Sequence, residues 1–195
     1  MRRTLLAAAL VLVPSLALAH PGLPGHVHDL ANGFLHPLGG IDHVLAMVAV
    51  GLFAGQLGGR ALWLVPASFV GVMTAAGLAG TSGVSLPLTE AGIAASIIVL
   101  GGTIALRLSM PVAAAMALVG FFAIFHGYAH GLETPETASG LLYGLGFVAA
   151  TAMLHGVGVA IGLTVGRLDG AYGRPLARIA GSAAALVGVV MLASH

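Results

Sequence analysis

Residues 36–57 read HPLGGIDHVLAMVAVGLFAGQL, with two imidazoles and a carboxylate (His36, Asp42, His43) heading an apolar run that ends at Leu57. A run this long and apolar is read as a transmembrane helix, since in lipid a helix satisfies its backbone polar groups within one segment. Ionisable side chains at the mouth of such a span are costly, and they mark sites that bind or move something. Comparable runs follow at about 61–82, 90–108, 110–131, 138–166 and 174–194, which gives six candidate spans. The connections between them are too short for a soluble domain. The expected fold is an all-α integral membrane bundle of six transmembrane helices, occupying residues 36–195.

Composition agrees. Of 195 residues, 58% are hydrophobic and 7% charged, and a soluble domain would carry several times more charge. The seven basic residues, all Arg, nearly balance six acids, so nothing points to nucleic acid or an acidic partner. The absence of Cys excludes disulfides, thiolate metal sites and thiol catalysis. Nine His outnumber either charge class, and 30 Gly suit closely packed membrane helices better than linkers. Small-xxx-small spacing joins Gly51 with Gly55, Gly127 with Gly131, Gly140 with Gly144, and Gly158 with Gly162 and Gly166. The oligomeric state is left open, a homo-oligomer included.

Residues 1–19 have the form of a cleaved signal peptide: Arg2 and Arg3, an apolar stretch, and Ala17-Leu18-Ala19 before the cut. The alternative is an uncleaved first span. Cleavage leaves an N-terminus outside the inner membrane of a bacterium, followed by a short periplasmic segment, 20–35, containing His20, His26, His28 and Asp29. With that start, Arg60, Arg107, Arg167, Arg174 and Arg178 all fall in cytoplasmic connections, while the external ones carry only Glu90, Glu133 and Glu136. The asymmetry follows the positive-inside rule and supports both orientation and span count.

In one continuous first helix, His36 and His43 would share a face about 10 Å apart in height, with Asp42 about 100° round from His43. In the fourth span His126, His130 and Glu133 fall at i, i+4 and i+7 on one face, a spacing by which a helix offers several ligands to one metal. With this orientation both clusters lie in the outer half of the bilayer. Glu90, at the outer start of the third span, is either a third wall of the site or a first-turn acid favoured by the helix dipole. His155 lies farther in, as an exit ligand, a proton acceptor or a packing residue. The external histidines are candidates for first capture of a cation. Imidazole and carboxylate without thiolate suit Ni(II), Co(II) or Zn(II), bound only while imidazole is neutral and so weakening below about pH 6.

The HPxxGxDH pattern at His36–His43 and the HGxAHGxE pattern at His126–Glu133, together with the N-terminal signal and six-span length, resemble the HupE/UreJ family of nickel and cobalt permeases. The resemblance covers essentially the whole chain. It implies secondary uptake of Ni(II), in some members Co(II), for nickel enzymes such as hydrogenase or urease, with the ion as substrate and no permanently bound cofactor. It carries the metal-site role to His36, Asp42, His43, His126, His130 and Glu133, and less directly to Glu90. The sequence has no phosphate-binding G-x-x-x-x-G-K-[ST] loop, so this chain is not read as an ATPase. The rival reading is an intramembrane zinc-dependent hydrolase built on the same His and Asp groups, for which the sequence offers no clear general base.

Overall fold

The computed structural model describes residues 27–83, 85–134, 139–168 and 170–194. The expected signal peptide and the segment 20–26, with His20 and His26, lie outside them. The described residues form seven helices and no strand: α1 (Val27–Gly39), α2 (Ile41–Leu57), α3 (Ala61–Thr81), α4 (Thr89–Ala105), α5 (Val112–Leu132), α6 (Gly140–Arg167) and α7 (Gly170–Ser194). Four are long and apolar enough to cross a membrane: α3, α5, α6 and α7 from Tyr172. The α1–α2 pair qualifies as a fifth, bent span. Helix α4, with 17 residues, reaches roughly 25 Å, a little less than the hydrocarbon core of an average bilayer. The chain is an all-helical membrane protein.

The first candidate span departs from the expected geometry. It begins as helix α1 at Val27, inside the stretch read as an external segment, and turns by 85° between α1 and α2. The turn is at Gly40, whose extended backbone (φ −105°, ψ 122°) interrupts the helix and caps α2. His36 and His43 therefore lie on different helices and not on one face of a single helix. Crowding also favours glycine here, because a Cβ at position 40 would lie 2.6 Å from Asp42 Oδ1 and 3.0 Å from His43 Nδ1.

Glycine decides which helices pair. Between α3 and α5, a methyl on Gly127 would strike the carbonyl of Met73, and one on Gly131 the carbonyl of Gly77. Between α2 and α6, Gly51 meets the carbonyl of His155 and Gly158 that of Val48. Gly101 and Gly181 join α4 to α7 in the same way, and Gly33 and Gly146 seat α1 on α6. Backbones in such contact gain dispersion and Cα–H···O interactions that lipid cannot replace. Of the glycines singled out by spacing, Gly51, Gly55, Gly127, Gly131, Gly158 and Gly162 work in this way, whereas Gly140, Gly144 and Gly166 face open space. Helices α4 and α5, adjacent in sequence, touch, but each has a closer partner in α7 and α3.

One polar contact fastens the start of α1 to the bundle: Asp29 Oδ2 accepts the backbone N–H of Ser139 at 2.9 Å, just before α6 begins. The core runs through Met47, Val50 and Phe53 of α2, Phe69 and Met73 of α3, and Val119 and Ala123 of α5.

Two glycines in one helix separate close packing from helix propensity. Gly158→Ala should destabilise the protein by about 1–3 kcal/mol through overpacking, whereas Gly156→Ala, with open space around the new methyl, should be neutral or gain up to about 1 kcal/mol. Melting temperatures of the detergent-solubilised variants check this.

Candidate metal site

The bend at Gly40 lays His36 over the end of α5, where His130 and Glu133 project. His36 Nε2 donates to Glu133 Oε2 at 2.9 Å. His130 Nδ1 lies 3.4 Å from the same oxygen, longer than a well-formed hydrogen bond, so both ring nitrogens of His130 remain unpartnered although the residue is buried. One ligand atom from each of His36, His130 and Glu133 can be chosen so that all lie within 4.8 Å of one another. That is the span across which three donors can close on one cation.

Glu133 follows the last residue of α5 and is exposed. The His130 and His36 imidazoles beside it hold its carboxyl down to about 2, against the opposing pull of partial burial. The carboxylate thus stays ionised at any physiological pH, and only acidification towards pH 2 would remove it as an anionic ligand.

One helical turn deeper the pattern repeats with the ligands held from behind. The His43 and His130 ring centroids are 4.1 Å apart, and His43 and His126 are 5.2 Å apart. Asp42 Oδ1 is 2.9 Å from His43 Nδ1. An ionised carboxylate can only accept, so Nδ1 carries the proton and Nε2, buried and without a partner, keeps its lone pair. On the other side Ser96 Oγ donates its one proton to Ile93 O at 2.6 Å, and so accepts from His126 Nε2 at 2.9 Å. That leaves His126 Nδ1 as the lone-pair nitrogen, again buried and without a partner. Asp42 and Ser96 thus each set an imidazole tautomer, as carboxylates and hydroxyls do behind metal-bound histidine.

The two tiers form one ladder from the α5–α6 end of the bundle inwards: His36 and Glu133, then His130, His43 and His126. Beside it lies a cavity of about 670 Å³ between α3, α5 and α6, lined mainly by apolar groups including Met73, Leu78, Tyr143 and Phe147, with His130 in its wall.

The HupE / UreJ protein family model matches residues 8–191. Protein HupE of Rhizobium leguminosarum bv. viciae is 45% identical over 185 residues, covering 95% of this chain and 94% of that protein. The chain belongs to the HupE/UreJ family. No solved structure matches it.

Of the seven residues singled out from the sequence, the fold brings six of this HupE/UreJ chain together. The seventh, Glu90, is exposed in the first turn of α4 and makes no hydrogen bond or ion pair among the described residues. Ser96 is the α4 residue that reaches the ladder, and six residues at 100° each place Glu90 about 120° round the helix from it. Ser96, Tyr143 and Phe147 were not anticipated. A single Ser in an apolar span is a weak signal, and Tyr143 and Phe147, whose rings pack around His36 and His130, look like ordinary core aromatics. Ser82, in a G-x-S-G context, gives its hydroxyl to Ala79 O.

If Asp42 sets the His43 tautomer, Asp42→Asn should weaken Ni(II) binding by about 10–100-fold without removing a buried ligand. Equilibrium dialysis of the purified protein against Ni(II) measures it.

Proposed function

We propose that the protein is a secondary permease that imports Ni(II), with Co(II) as the related substrate, across the bacterial inner membrane to supply nickel enzymes such as hydrogenase or urease. It works with six spans, its N-terminus outside after removal of a signal peptide, and the ladder opening to the periplasm. The observation that carries this reading is the set of imidazole nitrogens left without partners: His43 Nε2, His126 Nδ1 and both nitrogens of His130, beside the His36–Glu133 pair. Unpaired buried nitrogens are unfavourable in a resting core, and a borderline divalent cation is what such donors accept. Membership of a transporter family supports transport over catalysis.

The chemistry follows from the donor set. His36 and Glu133, at the exposed mouth, exchange their mutual hydrogen bond for the cation as water leaves it, the His36 proton moving through solvent from Nε2 to Nδ1 so that Nε2 gains a free lone pair. His130 draws the ion inwards, and His43 and His126, oriented by Asp42 and Ser96, receive it where water is scarce. Several imidazoles in sequence let each one bind and release, as conduction requires. The inside-negative potential drives the ion: about 2.3 kcal/mol per charge at 100 mV, hence about 4.6 kcal/mol for a divalent ion, or roughly a thousandfold accumulation without ATP.

Uptake of radiolabelled nickel by cells expressing His36→Ala, Asp42→Ala, His130→Ala or Glu133→Ala at wild-type abundance tests this. Each should fall by about tenfold or more, and collapse of the membrane potential should abolish accumulation by the wild type. Undiminished uptake by all four variants would show that the ion takes another route.

A further inference from the structure

The ladder ends at His126, but the row of rings does not. Phe69 of α3, fully buried, packs against His126 with centroids 5.7 Å apart and the rings tilted by 53°, and its ring makes a perpendicular contact with His155 of α6 at 5.2 Å. Along α5, His126 lies one turn, about 6 Å, beyond His130, and along α6, His155 lies about 12 Å beyond Phe147, the residue that packs on His130. His155 thus continues the sequence towards the Arg-bearing end, one aromatic ring beyond the last ladder histidine.

His155 is 1% exposed and neither ring nitrogen has a hydrogen-bond partner. The groups around it explain why. On the α2 side Gly51 packs against its backbone carbonyl, and on the α3 side it meets Phe69. Thr151, one turn earlier on α6, turns its hydroxyl to Met73 Sδ at 3.9 Å. No Asp or Glu makes an ion pair with His155 among the described residues. A residue needed only to fill this space would be apolar, because an imidazole sealed here without partners is less favourable than a leucine of similar volume.

We propose that His155 is a second, inner cation site, a transit ligand that takes the divalent ion after it leaves His126 and passes the Phe69 ring. This rests on the permease reading. At least one neutral imidazole nitrogen offers a lone pair to the ion, and no carboxylate pairs with His155 to hold the ion there, so release towards the cytoplasm is easy. The ladder captures and dehydrates the ion, and His155 carries it across the apolar middle of the bundle.

The test compares wild type, His155→Leu and His155→Cys at matched abundance, with radiolabelled Ni(II) uptake into cells and equilibrium Ni(II) binding by the purified proteins. Leucine preserves the packing and removes the ligand, whereas cysteine packs less well but still ligates. Binding at the ladder should stay within about twofold of wild type in both variants, uptake should fall by about tenfold in His155→Leu, and His155→Cys should transport clearly better than His155→Leu. Wild-type uptake by His155→Leu, or equal impairment of the two variants, overturns the proposal while leaving the permease reading in place. A wild type that accumulates no nickel would instead remove the permease reading and this site with it.

Discussion

The Asp42 carboxylate on His43 Nδ1 is a short contact with long consequences. It fixes which nitrogen of His43 stays free, and a side chain at position 40 would crowd both of the groups that make it. The same glycine, extended and not helical, turns α1 through 85° and so carries His36 across to Glu133. One backbone break therefore orients a ligand of the inner tier and delivers a ligand of the outer one. An unbroken helix would have left His36 a full turn or more above His43 on the same face, away from the end of α5.

That break holds because the helices around it are locked backbone to backbone. Gly33 and Gly146 press α1 on to α6, Gly51 and Gly158 press α2 on to the same helix, and Gly127 and Gly131 hold α5 against α3. Lipid offers no hydrophobic drive for helix association, so close approach supplies it. The arrangement brings α1, α2 and α5, which carry the ladder, into one bundle through α3 and α6, and leaves between α3, α5 and α6 the cavity that reaches His130.

Much of this is legible in the residues themselves. The apolar runs are long enough to mark helices, and the i, i+4, i+7 spacing of His126, His130 and Glu133 transfers directly to one face of α5 because nothing interrupts that helix. For the stretch from His36 to His43, the structure brings the singled-out side chains together but breaks the continuous helix at Gly40. Seven residues on a continuous helix return to one face, but Gly39-Gly40 can equally be a break, and no local pattern distinguishes the two. Glu90 illustrates a further limit: being the only carboxylate near its helix suggests a wall of the site, yet the rotation of α4 is set by glycine contacts with α7 and presents Ser96 instead. The tautomer of His126 depends on Ser96, thirty residues away in sequence, and that of His43 on how the backbone at Gly40 turns the neighbouring Asp42, so only the folded chain reveals them.

The most direct measurement is X-ray absorption at the nickel edge on purified protein loaded with one equivalent of Ni(II). An imidazole-rich shell completed by oxygen, with no sulfur, is the result expected from the His36–His126 ladder. A spectrum of a fully hydrated ion, without imidazole scattering, would contradict it.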